Sequence, residues 1–212
     1  DQIVVSVGGD TIEDYVALCR ETEARFGGRI AALELNAACP NVSHGAGFYS
    51  RDPQAARELV QAVREAVVLP VFLKFNTNFP NYLEVAAAVE AAGADALYTT
   101  NTPLGMKIDL HRRRPALGNG RGPICGPAIR PIGVLRTWEL YEAVRLPIIA
   151  SGGIRTWEDA VEYLLAGACA VGVGSAQFVQ PDAASDILSG LERYAAAEGL
   201  ECLTPLVGAA HP

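Results

Sequence analysis

Apolar positions along this chain fall into short, nearly continuous runs rather than a strict alternation with polar ones. Residues 2–7, 30–35, 69–75, 94–99, 146–150 and 168–174 each form such a run, closed by glycine, proline or polar residues. Between them the apolar period becomes helical. Ile12, Tyr15, Val16 and Cys19 share a helix face after the capping-box pattern Thr11-x-x-Asp14. Leu59, Val60, Val63 and Val67 do the same after Asp52-Pro53, an N-cap followed by proline at the first helical position. Helices are also predicted at 82–92, stopped by Gly93, at 127–144, after the cap Thr156-x-x-Asp159 as far as Gly167, and at 182–197. Strands that do not alternate are buried on both faces, so the pattern predicts an α/β protein with a parallel sheet covered by helices.

Two internal echoes mark these units as equivalent: Leu69-Pro70-Val71 against Leu146-Pro147-Ile148, and Ala92-Gly93-Ala94-Asp95-Ala96 against Ala166-Gly167-Ala168-Cys169-Ala170. A doubly wound sheet and a (β/α)8 barrel both fit. Six units are two short of a closed barrel, and period alone does not choose between them. The two long connections, 37–52 and 101–126, come after the carboxyl ends of strands, where both folds bind ligands.

Composition narrows the function classes. With 212 residues and 50% apolar content the chain suits one domain over 1–212. A net charge of −7 and a pI near 5.0 argue against nucleic acid, and Arg112-Arg113-Arg114 reads as a solvated loop. No apolar run nears the roughly 18 residues of a membrane span, and the start Asp1-Gln2-Ile3-Val4-Val5 has no basic signal-peptide region, so a soluble, cytoplasmic protein is expected. Cysteines at 19, 39, 125, 169 and 202, with no C-x-x-C pair, suit reduced thiols, most of them small buried hydrophobes, better than a disulfide frame or a zinc site.

Candidate chemistry gathers at strand ends. Asn36-Ala37-Ala38-Cys39-Pro40-Asn41 sets a thiol between two carboxamides just past a strand, where it could exchange a proton while its neighbours bond a flat polar substrate. The bland alternative for Cys39 is a buried hydrophobe. Asn101-Thr102 adds a third carboxamide after the next-but-one strand, although asparagine also serves in turns and caps. Ser151-Gly152-Gly153 and Gly172-Val173-Gly174-Ser175, each expected just ahead of a helix N-terminus, could present paired amides to an anion, as barrels do after their last two strands; tight βα turns are the alternative. Lys74 lies inside an apolar strand, where an unpaired charge costs several kcal/mol. A partner is expected, either a ligand or a structural carboxylate such as Glu34.

These residues resemble, in order, a known family. Glu34-Leu35-Asn36-x-x-Cys39-Pro40-Asn41, Lys74, Asn101-Thr102, Gly126-Pro127-Ala128-Ile129-Arg130-Pro131, Gly152-Gly153-Ile154 and Ala166-Gly167-Ala168-x-Ala170-Val171-x-Val173-Gly174 look like the dihydroorotate dehydrogenases over nearly the whole chain. The stretch Asn101-Thr102-Pro103-Leu104-Gly105-Met106-Lys107-Ile108-Asp109 leans toward the NAD-linked, two-subunit type. The resemblance implies an FMN-containing (β/α)8 TIM barrel of which this chain carries strands 3 to 8, the first two units missing. It implies oxidation of dihydroorotate to orotate in pyrimidine biosynthesis, with Cys39 as the base for the C5 proton and the hydride leaving C6 for the flavin. It further assigns Asn36, Asn41, Asn101 and Thr102 to substrate, Lys74 to the flavin ring, Gly126 to the cofactor, and Gly152, Gly153, Gly174 and Ser175 to its phosphate. The acceptor, NAD or fumarate, stays open. No iron–sulfur cysteine pattern occurs in the chain, so that cluster and FAD would sit on a partner subunit, beside a possible homodimer. The alternatives are an FMN barrel acting on another pyrimidine, like the flavin domain of dihydropyrimidine dehydrogenase, a non-redox barrel that binds a sugar phosphate, and an inactive fragment.

Overall fold

Each apolar run becomes a strand and each helical period a helix in the computed structural model, which describes residues 3–38 and 47–212. In chain order the elements are β1 (Val4–Val7), α1 (Ile12–Phe26), β2 (Ala32–Asn36), α2 (Phe48–Arg51), α3 (Pro53–Arg64), β3 (Val71–Lys74), α4 (Tyr82–Ala91) and β4 (Ala96–Thr99). Then come four two-residue strands, β5 (Leu104–Gly105), β6 (Ile108–Asp109), β7 (Arg114–Pro115) and β8 (Gly122–Pro123). The chain continues through α5 (Arg130–Ala143), β9 (Ile148–Ser151), α6 (Trp157–Leu165), β10 (Ala170–Gly172) and α7 (Ala183–Ala197). The caps explain the helix starts. Thr11 with Asp14 and Thr156 with Asp159 form complete capping boxes, and the Asp52 carboxylate accepts from the amides of Gln54 and Ala55 ahead of Pro53.

Strand order settles the choice that the period left open. The sheet runs β1-β2-β3-β4-β9-β10, with every pairing parallel. A doubly wound sheet reverses its strand order at a switch point. This one never reverses, so successive right-handed crossovers carry the helices to one face. The result is an open half-barrel of six parallel strands with β1 and β10 as its edges, not a closed barrel of eight.

The outer face carries the core. Leu33, Leu35, Val71, Leu73, Phe75, Leu97 and Ile148 are buried in one cluster with side chains of α1, α3, α4 and α5. Ala150, Ile154, Tyr163, Leu164, Ile187 and Leu191 form a second cluster between β9, α6 and α7. Successive strand side chains point to opposite faces. The residues between those outward ones therefore line the inner face, and the pairing register sets Asn36, Lys74, Tyr98, Ile149 and Ala170 in one row across it.

Both long connections carry some structure, and one expectation needs correction. Within 101–126, β5 pairs with β8 and β6 with β7 in two small antiparallel sheets, too short to show alternation. The loop before Asp52 ends in the one-turn helix α2. Of the described cysteines only Cys19 is a buried hydrophobe; Cys125, Cys169 and Cys202 are exposed. The Arg112–Arg114 stretch is exposed, as expected.

Candidate active site

At the carboxyl ends of β3, β4, β9 and β10 the chain closes around a cleft of about 290 Å³. Lys74, Asn101, Thr102, Gly126, Gly152, Gly153, Gly174 and Ser175 all line it. Eight residues singled out from sequence, far apart along the chain, thus meet at one place. Asn36 is the register partner of Lys74, and its Oδ1 is buried with no hydrogen-bond partner among the described residues. Cys39 and Asn41 lie outside the described residues.

Lys74 does not pair with Glu34. The Glu34 carboxylate accepts from Ser6 Oγ at 2.7 Å, and among the described residues no carboxylate comes within ion-pair distance of Lys74. Lys74 lines the cleft, so its charge is accessible to a ligand there.

The first glycine turn is held from behind. Gly152 and Gly153 both have left-handed backbone, with φ of 120° and 76°. A Cβ at Gly153 would come within 2.8 Å of Gly126 O, so the loop before α5 closes onto the turn only because residue 153 has no side chain. Tyr163 donates its hydroxyl to Gly152 O at 2.7 Å. Burial, with the nearby Glu162 charge, pushes the Tyr163 hydroxyl well above the ordinary tyrosine value. Asp159 accepts from the amides of Arg155 (2.8 Å) and Thr156 (3.1 Å) and pairs with the Arg130 guanidinium, whose Nε also lies 3.0 Å from Glu162 Oε2. The start of α5, the turn and the start of α6 are thereby tied together.

Neither turn runs directly into an α-helix. After Gly152-Gly153, α6 starts only at Trp157, and the Asp159 amide is already engaged by Thr156. The second turn leads into a single 3-10 turn, Ser175–Phe178. An anion would therefore meet turn amides at Gly152-Gly153 and the start of a single 3-10 turn at Gly174-Ser175. The amides of Gly153, Gly174 and Ser175 donate to no backbone carbonyl among the described residues. Unspent donors, a turn closed against backbone where a Cβ would clash, and a cation across the cleft fit a phosphate-bearing cofactor whose ring gains negative charge on reduction.

Sequence reasoning missed Tyr98, Thr100 and Cys125 in the cleft wall, which also includes Ile129, Ser151 and Gly172 from the motifs singled out above. Tyr98 is in phase with the inner face, like Lys74, and nothing else in the sequence marks it. The Thr99–Thr100 peptide is cis, and the two hydroxyls lie 3.0 Å apart.

Comparison with known proteins agrees with this geometry. A family model described as dihydroorotate dehydrogenase matches residues 1–194. The chain belongs to the dihydroorotate dehydrogenase family. Among its relatives, proteins named dihydroorotate dehydrogenase B (NAD(+)), catalytic subunit, from Desulforamulus reducens and Desulforudis audaxviator are each 44% identical over 209 residues, 99% of this chain and 68% and 67% of theirs. The protein of that name from Geotalea uraniireducens is 42% identical over 207 residues, 98% of this chain and 67% of its own. The chain thus spans about two-thirds of the length of these dihydroorotate dehydrogenases. Among the described residues no helix is long and apolar enough to cross a membrane, and no group of three or more His, Cys, Asp or Glu side chains could hold a metal ion.

Proposed function

We propose that this chain is the flavin-bearing part of a dihydroorotate dehydrogenase, which oxidises dihydroorotate to orotate on the way to pyrimidine nucleotides. The observation that carries this reading is the meeting of Lys74, Asn101, Thr102 and both glycine turns in one cleft at the carboxyl end of a sequentially wound sheet. When bound, FMN supplies the acceptor for the substrate hydride. Gly152, Gly153, Gly174 and Ser175 hold its phosphate through their amides, with Gly126 closing the cradle. The Lys74 ammonium favours negative charge on the ring beside it. Asn36, Asn41, Asn101 and Thr102 orient the planar substrate by its amide and carboxylate edges. Cys39 takes the C5 proton as general base.

The half-barrel is read as strands 3 to 8 of a (β/α)8 barrel in a single domain over 1–212. The names of the relatives favour NAD as final acceptor, reached through a partner subunit that carries FAD and an iron–sulfur cluster. A homodimer and a cytoplasmic location complete the reading.

The test is anaerobic bleaching of the flavin absorbance by dihydroorotate after loading with FMN. Wild type is expected to bleach, and Cys39→Ala to do so about 10²- to 10⁴-fold more slowly, the usual contribution of a general base. Bleaching at the wild-type rate in Cys39→Ala removes Cys39 from the mechanism. Absence of flavin binding removes the redox reading and favours a sugar-phosphate barrel.

A further inference from the structure

Tyr98 lies on the inner face of β4, level with Lys74 on one side and Ile149 on the other. Its side chain crosses β9 to reach β10. A Cβ built on Gly172 would lie 2.0 Å from the Tyr98 hydroxyl oxygen, and it would also come within 3.3 Å of Ser151 Cβ. Two strand spacings separate β4 from β10, roughly 10 Å on a flat sheet. The contact is therefore a chord across a concave face, and residue 172 must be glycine for the hydroxyl to fit.

The position of that hydroxyl is informative. Ser151 and Gly172 are register partners, and each is succeeded at once by one of the two glycine turns. The hydroxyl thus rests at the base of both turns, while the ring of the same residue stands beside Lys74 and lines the cleft. A ligand with its phosphate at the turns and its flat ring near Lys74 must lay its connecting chain along this tyrosine. Burial raises the Tyr98 hydroxyl above the ordinary tyrosine value, partly offset by its contact with the Ser151 side chain. It stays a protonated donor at neutral pH.

We propose that the Tyr98 hydroxyl grips the polyol chain between the ring and the phosphate of the bound flavin, with Gly172 as its obligatory counterpart. The inference rests on the FMN reading above and adds to it a residue that sets which length of cofactor the cleft accepts. It predicts a dependence on the chain and not on the ring.

The experiment is fluorescence titration of the purified protein with FMN, riboflavin and lumiflavin, which share the ring and differ in the group that hangs from it. Tyr98→Phe is expected to bind FMN and riboflavin about 3- to 10-fold more weakly, the worth of one neutral hydrogen bond, and lumiflavin as wild type does. Gly172→Ala, which must push the hydroxyl aside, is expected to lose more than tenfold for FMN, and adding Tyr98→Phe to it should cost nothing further. Circular dichroism and the melting temperature establish that Tyr98→Phe folds. FMN bound as tightly by Tyr98→Phe as by wild type overturns the proposal, and so does an equal loss for lumiflavin, which marks a merely structural role. Wild type that binds no flavin overturns the function reading and this inference together; the other outcomes touch the inference alone.

Discussion

The two glycine turns look alike in sequence and are built on different terms. Gly152-Gly153 has left-handed backbone at both residues and is backed by Tyr163, the Gly126 carbonyl and the Arg130–Asp159 pair. At Gly174 a Cβ would meet nothing within 4 Å, its φ is −105°, and the segment beyond it leaves Phe178 and Val179 exposed. One turn is fixed by the fold around it. The other is held by packing at Gly172 alone; Gly174 has room to spare, so any need for it comes from the molecule that binds there. Equal signatures can thus hide unequal constraints.

The largest effect should come from Gly153→Ala, which places a Cβ against the Gly126 carbonyl in a backbone conformation that alanine avoids. A loss of roughly 2–4 kcal/mol is expected, read as a lower denaturation midpoint, with flavin binding abolished. An unchanged midpoint would mean that the turn is as loose as its counterpart. Asp159→Ala comes next, because it strips the cap from Arg155 and Thr156 and leaves Arg130 with only Glu162. About 2 kcal/mol is expected by urea unfolding, discounted from the value of a fully buried pair because Arg130 is partly exposed.

Tyr163→Phe is a finer probe, with about 1 kcal/mol expected at neutral pH for a carbonyl that loses its donor. Its pH dependence carries a sign. Folding holds this hydroxyl protonated above the ordinary value of 10, so its stabilisation is full below pH 10 and is lost as the pH rises. Cys19, pushed up to about 11 chiefly by burial, and Tyr82, raised to about 12 by burial and by Glu139, act in the same direction elsewhere. The diagnostic quantity is therefore the difference between wild type and Tyr163→Phe, which should shrink above pH 10. A constant difference would place the hydroxyl outside the turn's support. Gly174→Ala should do least to the fold, within about 0.5 kcal/mol, while still altering flavin affinity. A melting temperature well below that of wild type would erase the contrast between the turns.

Much of this was legible in the sequence, and the gaps have physical causes. Continuous apolar runs gave the strands, although only the outer face is fully buried and the inner face of the open sheet is half-exposed, and Thr11, Asp52 and Thr156 gave helix starts because a cap acts within one turn. Strand order was not legible: Leu33 would be just as apolar in a doubly wound sheet. Lys74 could be singled out because a charge in an apolar run is an anomaly. Tyr98 could not, since tyrosine is an ordinary strand residue and its meaning depends on Gly172, 74 positions later. The support given to Gly152 by Tyr163 was hidden for the same reason, being a contact between elements rather than a local pattern.

The chord from Tyr98 to Gly172 works like a bowstring. It exists only because the sheet is arched over β9, the one strand between its ends. Curvature, usually treated as scaffolding, is in this protein the condition for one side-chain contact across the site.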